Sequence, residues 1–342
     1  MDSVFLKACR REKTLYTPVW LMRQAGRYMK SYRALRKKTP FMELCKDPDL
    51  ACEVTVEAQT KIGADAAIIF SDILLILEPM GLKLDYLKNE GPSIQKPVRD
   101  KKAVEALKPA QSEKSLSFVF DALRKTKKSL KKDIALIGFA GAPFTLASYM
   151  IEGGSTRDFR RVKTFMKDEG LWRVLMQKIT SDTVAYLNAQ ITAGADAVQL
   201  FDSWAGILSA QEYEKYVLPY SSQVFRGIRR EVPTIHFGTG TGRFIHLIRR
   251  AGGDVIGVDH RIKLDEAWQK IGYDRAVQGN LDPEVLLGSF ADIRKETAKV
   301  IKHAAGRPGH IFNLGHGVKP ETPEKNVIEL IKFVHDHTRQ KK

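Results

Sequence analysis

Gly63-Ala-Asp-Ala-Ala-Ile-Ile-Phe-Ser-Asp72 reads as a turn, a short buried strand and a polar pair at the strand end. Gly194-Ala-Asp-Ala-Val-Gln-Leu-Phe-Asp-Ser203 repeats the pattern about a third of the chain later. Each copy follows a stretch with helical periodicity, Pro48 to Ile62 in the first case and Asp182 to Thr192 in the second. Such self-similarity points to one βα architecture used repeatedly.

Working outward from this template, further apolar runs of strand length occur at Val19 to Met22, Ile134 to Gly138, Pro233 to Phe237, Asp254 to Val258, Ala276 to Gly279 and His310 to Leu314. With the two repeated strands they make eight. Eight βα units in 342 residues predict an α/β fold, a single-domain (β/α)8 TIM barrel over 1–342, in preference to an open doubly wound sheet. The one long excursion, at about 78–108, carries Pro79, Gly81, Gly91, Pro92 and Pro97 and reads as a mostly irregular insertion.

The composition is that of a globular chain, with 43% hydrophobic residues and no apolar run of eighteen. The amino terminus lacks the apolar core of a signal peptide, so a cytoplasmic protein with no membrane partner is expected. Its three cysteines, Cys9, Cys45 and Cys52, form no Cys-x-x-Cys pair and no metal-ligand spacing, which predicts free thiols and no metal. A net charge of +16 invites a nucleic-acid reading. The densest basic run, Arg124-Lys-Thr-Lys-Lys-Ser-Leu-Lys-Lys132, instead looks like the solvated end of an outer helix, without the interleaved aromatics that stack bases. A positive field that gathers an anionic small molecule accounts for the charge, and no nucleic-acid partner is expected.

In a barrel of this kind chemistry gathers where strands end. The first strand ends in Arg23-Gln-Ala-Gly-Arg27, a turn that would aim two guanidiniums at carboxylate or phosphate; Arg33 and Arg36 follow on one helical face. Four arginines so close suggest a polyanionic ligand, against the alternative of a solvated basic loop. Asp72 places a carboxylate at the edge of an apolar interior, where it could meet developing positive charge or cap the next helix. His316, between two glycines, could hydrogen-bond a ligand carboxylate or be an ordinary loop histidine. Tyr149 offers a hydroxyl beside an apolar wall, or packs in the core. Ser203 lies outside any Gly-x-Ser-x-Gly motif and reads as a hydrogen-bond donor rather than a nucleophile. Gly238-Thr-Gly-Thr-Gly242 lacks the spacing of a nucleotide cradle.

Taken together, Pro18-Val-Trp-Leu-Met-Arg-Gln-Ala-Gly-Arg-Tyr28, Ala67-Ile-Ile-Phe-Ser-Asp-Ile-Leu74 and Ile137-Gly-Phe-Ala-Gly-Ala-Pro-Phe-Thr145 resemble motifs of the uroporphyrinogen decarboxylase family. The resemblance continues through Tyr149-Met-Ile-Glu-Gly-Gly154, Gln278-Gly-Asn-Leu-Asp-Pro283 and Asn313-Leu-Gly-His-Gly317 and spans nearly the whole chain. It implies a homodimeric (β/α)8 barrel with no metal and no organic cofactor. It also implies stepwise removal of the four acetate carboxyls of uroporphyrinogen III to leave coproporphyrinogen III. Carried over, the turn Arg23, Gln24, Ala25, Gly26 and Arg27 would bind substrate together with Arg36, Asp72, Tyr149, Ser203 and His316, and Asp72, Arg23 and Arg27 would be the catalytic groups. Met29-Lys-Ser31 departs from the Leu-Pro-Glu common in the family. Two other readings are weighed beside it: a non-catalytic tetrapyrrole-binding protein, and a related zinc-dependent methyltransferase barrel, which would need a Cys/His metal site.

Overall fold

Asp47 accepts hydrogen bonds from the N–H groups of Asp49 (2.9 Å) and Leu50 (3.0 Å), and so starts the helix Pro48–Ile62 that ends at Gly63 in the left-handed conformation. The computed structural model describes residues 3–340 apart from 88–90, 155 and 157. After Gly63 the chain enters strand β1 (Ala66–Ile68), and the second copy of the motif behaves alike. There the helix Glu169–Thr192, which extends well before the expected Asp182, is followed by Gly194 at φ +108° and strand β5 (Ala197–Asp202).

The strands between and after them are β2 (Leu84–Leu87), β3 (Gly91–Ile94), β4 (Ala135–Gly141), β6 (Thr234–Gly238), β7 (Val255–Gly257), β8 (Ala276–Gln278) and β9 (His310–Ile311). Seven of the nine form one parallel sheet in the order β1-β4-β5-β6-β7-β8-β9. The expected first strand, Val19 to Met22, is reduced to a single parallel bridge between Val19 and Phe312, yet it occupies the eighth place. On one side Phe312 N donates to Pro18 O (2.8 Å), and on the other Asp65 N donates to Val19 O (2.8 Å).

The conserved chemistry inside the repeat is its aspartate, which explains the register. Asp65 Oδ2 accepts from Val19 N (2.7 Å), Asp196 Oδ2 from Leu136 N (2.7 Å), and Asp254 Oδ2 from Thr234 N (2.8 Å). In each case a carboxylate just before one strand caps the start of its neighbour, satisfying an N–H that the ladder leaves unpaired. Across the interior Trp20 Nε1 donates to Gln278 Oε1 (2.9 Å) and Gln278 Nε2 to Gln199 Oε1 (3.1 Å), so a polar chain crosses an otherwise apolar core.

The excursion at 78–108 differs from its expected irregularity. β2 and β3 form an antiparallel hairpin in which Leu84 pairs with Ile94 and Tyr86 with Pro92, and Asp100 caps a helix at Lys101–Ala106. Of the glycines and prolines that suggested irregular chain, Gly91 and Pro92 fall at the start of β3 and Pro79, Gly81 and Pro97 in the connections, and Leu84 and Ile94 are buried. β4 also runs further than Gly138, because Gly141 is still in register with Phe201.

The basic run ends the helix Ser117–Ser129, and its lysines meet neighbouring acids: Lys125 pairs with Asp49 and Lys127 with Asp196, both at 2.5 Å. Cys9 and Cys45 are buried free thiols and Cys52 is half-buried. Among the described residues no helix is long and apolar enough to cross a membrane, and no group of three or more His, Cys, Asp or Glu could hold a metal ion.

Candidate active site

The arginine turn is built by its own backbone. Gln24 N donates to Leu21 O (3.0 Å), Tyr28 Oη to Gln24 O (2.7 Å) and Met29 N to Gly26 O (3.0 Å). A Cβ on Gly26 would stand 2.8 Å from Arg23 O, so the turn closes only around a glycine. Arg23 itself sits at φ +62°, a conformation that favours glycine and costs a non-glycine residue strain. Its side chain and that of Arg27 are exposed.

The remaining members of the turn divide by role. Gln24 is buried, with Nε2 on Ala66 O (3.2 Å) and Oε1 on Leu21 N (3.2 Å), so its amide is committed to the fold. Ala25 is half-buried against the core. Arg33, read beside Arg36 as part of an anion-binding face, instead donates through Nη1 to Arg27 O and Tyr28 O, both at 2.7 Å. It braces the turn. Arg36 donates to Thr39 O and lies 5.4 Å above the Phe41 ring, which together fix its guanidinium.

The last strand's loop completes the arrangement. Met22 N donates to Asn313 Oδ1 (3.2 Å) and Val318 N to Met22 O (2.9 Å). A Cβ on Gly317 would fall 2.4 Å from Arg23 Cδ, so the arginine side chain lies directly across that glycine. His316 stands between Gly315 and Gly317 and faces Arg23, His260, Arg261 and Asp259. Burial, helped by the nearby Arg23, His260 and Arg261 and opposed by Asp259, lowers its imidazole to about 4. The ring is therefore neutral at pH 7.

The sign of this shift is testable. An unfolded histidine binds a proton near 6.5 and this one near 4, so acidification across that window favours the unfolded state and the ring loses stability as pH falls. Histidine-detected NMR titration is expected to find His316 neutral at pH 6. Arg23→Gln should raise its pKa by removing a facing charge. A native value near 6.5, unmoved by that change, would place His316 back among ordinary loop histidines.

Asp72 leaves the end of β1 with Oδ1 accepting from Leu74 N (2.9 Å), ahead of a 3-10 turn at Leu75–Leu77. This bond closes a local turn and engages one oxygen; the 3-10 turn itself has Leu74 at its start and no side-chain cap, so Asp72 does not cap it. Burial raises the carboxyl above its ordinary value, while the phenol of Tyr86, the Leu74 N–H and the charge of Arg23 oppose the rise. Asp72 and Arg23 are consequently neighbours although they come from different strands. Tyr149 interacts electrostatically with Tyr86 and packs edge-on against Trp204, with ring centroids 5.8 Å apart. Ser203, half-buried, adjoins that tryptophan, whose backbone N–H donates to Thr145 Oγ1 (3.3 Å).

Beneath Ser203 lies Asp202, fully buried, accepting from Thr145 Oγ1 at 3.0 Å and pushed up to about 7 by burial. Asp259 is a second support. It accepts from Gly240 N (2.6 Å) and Arg261 Nη1 (2.8 Å), and its carbonyl accepts from Asn280 Nδ2 (2.8 Å). Tyr86 escaped notice because its hairpin reads as irregular; the alternation of Leu84 and Tyr86, opposite Ile94 and Pro92, was the available signal.

A parallel barrel whose loops bring Arg23 beside both His316 and Asp72 has the architecture of a barrel enzyme. The family model described as uroporphyrinogen decarboxylase (URO-D) matches residues 2–337, and the chain belongs to that family. It is 50% identical over 338 residues to the uroporphyrinogen decarboxylase of Carboxydothermus hydrogenoformans, covering 98% of this chain and 97% of the relative. It is 52% identical over 341 residues to that of Sorangium cellulosum, covering 99% and 97%. Among solved structures a methyltransferase from Methanosarcina mazei shares the fold, with a TM-score of 0.78 and 17% identity over 98% of this chain and 99% of that one.

Proposed function

We propose that this chain removes the four acetate carboxyls of uroporphyrinogen III in turn, leaving methyl groups and releasing coproporphyrinogen III. The observation that carries the reading is Asp72, a single carboxylate held at an apolar mouth within the field of Arg23. In each cycle a proton adds to the pyrrole carbon next to the one that bears the acetate, and the ring becomes cationic. The bond to the carboxylate then breaks, its electron pair flows into the ring, and CO2 leaves. A proton taken up at the exocyclic methylene, with loss of the ring proton, restores the aromatic pyrrole. One proton is consumed and one CO2 formed for each methyl group.

Asp72 stabilises this cation more than the neutral ring that precedes it, which is the condition for lowering the barrier. The substrate's own ring is the electron sink. Arg23 and Arg27 face solvent and are free to meet carboxylates, while neutral His316 can donate a hydrogen bond to one through its ring N–H without carrying a charge. In this reading Arg36, Tyr149 and Ser203 complete the pocket.

Anaerobic incubation with uroporphyrinogen III, followed by oxidation and chromatography, tests the proposal. A ladder of products from eight carboxyls to four is expected; binding without a ladder would move the chain to the tetrapyrrole-binding reading. Arg27→Ala is expected to lower kcat/KM by about tenfold or more, because a charge-assisted contact to a carboxylate is lost. An unchanged value would return Arg27 to a surface loop. The proposal includes a cytoplasmic homodimer, as the family resemblance implies, and sedimentation of the purified chain reads its mass.

A further inference from the structure

The hairpin formed by β2 and β3 is a separate two-stranded sheet outside the barrel wall. It is joined to the helix Pro143–Glu152 at its end, where Ile94 N donates to Gly153 O (2.8 Å) and Ser93 bridges Gly154. Tyr86 projects from this hairpin into an aromatic row: its ring is 4.5 Å from Phe41, which is 6.1 Å from Phe70, which is 5.7 Å from Tyr32. The row fixes the phenol from behind. Its hydroxyl is buried and lacks a partner in strict hydrogen-bond geometry, and the acceptor it faces is the Asp72 carboxylate. Hydrogen bonds at reacting groups are commonly long until the site is filled.

We propose that Tyr86 is a positioning residue for Asp72: the hairpin carries its phenol to the carboxylate, where it donates a hydrogen bond and holds the oxygens facing the substrate ring. The inference rests on Asp72 being the carboxylate that meets the ring. A tyrosine suits the task because the aromatic row fixes its ring and its hydroxyl can donate to the charged carboxylate. The Leu74 N–H already holds Oδ1 from the protein side, so a second donor from the hairpin removes the remaining rotational freedom.

The other groups that face Asp72 do not replace Tyr86. Arg23 contributes charge from the first turn. Cys45, on the helix Phe41–Lys46, and Tyr186, on the helix Glu169–Thr192, both interact with Asp72, and burial pushes both up, so they are neutral at pH 7. Arg36 and Glu78 act on Cys45, and Tyr149 acts on Tyr86.

Tyr86→Phe keeps the ring and its packing and removes only the hydroxyl. Losing a donor that favours the ionised carboxylate raises the pKa of Asp72, so the acid limb of the kcat/KM profile is expected to move to higher pH by about one unit, the size of one hydrogen bond to a charged group. Below that limb activity should fall about tenfold relative to the parent, approaching it again on the alkaline side. Substrate ionisation is common to both proteins and cancels in the comparison. Coincident profiles, with Asp72→Asn severely impaired, would overturn the role of Tyr86 alone. If Asp72→Asn turns over normally, the reading of Asp72 falls and this inference falls with it. Equal thermal melting of parent and Tyr86→Phe separates a shifted profile from damage to the hairpin.

Discussion

Asp72→Asn is expected to lower kcat by about two orders of magnitude, the usual consequence of losing a preorganised group that stabilises developing charge. The amide is nearly isosteric and can still accept from Leu74 N, so the local turn is retained and the loss isolates the charge. KM should change little, because the arginines that meet the substrate's carboxylates are untouched. The pH dependence has a stated sign. Burial raises the carboxyl, and Tyr86, the Leu74 N–H and Arg23 pull it back, so acid is expected to silence the parent enzyme as the carboxylate takes up a proton. The residual rate of Asp72→Asn lacks that dependence. Near-normal turnover, or an acid limb unchanged in the variant, would remove Asp72 from the chemistry.

Gly315→Ala is expected to destabilise the fold by about 3 kcal/mol. A Cβ there would stand 2.1 Å from His260 N and 2.8 Å from the carbonyl carbon of Asp259, both backbone atoms that cannot rotate aside. Neither side can yield easily. Gly315 N is held by Leu281 O (2.7 Å), and Asp259 is anchored by Gly240 N and Asn280. The control is Gly63→Ala, where no atom lies within 4 Å of a Cβ and only the left-handed backbone opposes the change, at about 1 kcal/mol. Urea unfolding of the two variants reads the difference directly. Equal midpoints would mean that the loops after β7 and β9 are looser than their contacts require.

Most of the barrel was legible in the chain. The repeated Gly-Ala-Asp-Ala segments marked two strand starts, and the apolar runs located the rest, because burial on both faces of a parallel strand leaves a continuous apolar signature. The helix Pro48–Ile62 was readable to the residue, since Asp47, Pro48 and Gly63 are start and stop signals. The excursion was misread because glycine and proline mark both irregular chain and the ends of short strands. Val19 to Met22 looked like an ordinary strand but forms one bridge, for its remaining length turns away into the arginine segment.

The site was legible only in part. Arg23, Arg27, Asp72 and His316 stood out as reactive side chains beside turn formers at strand ends. Their grouping with Tyr86 and Asp259 did not, and neither did the commitment of Gln24 and Arg33 to the backbone. By itself the amino-acid sequence determined the repeating unit, the number of such units and the residue types presented where strands end. These follow from local periodicity and turn chemistry, which each short segment carries within itself. Only the tertiary structure decided that Arg23 lies across Gly317, that Tyr86 faces Asp72 and that Asp259 ties Gly240 to Arg261. Those contacts join segments brought together by barrel closure and side-chain packing, and no local pattern specifies which surface a long side chain will meet.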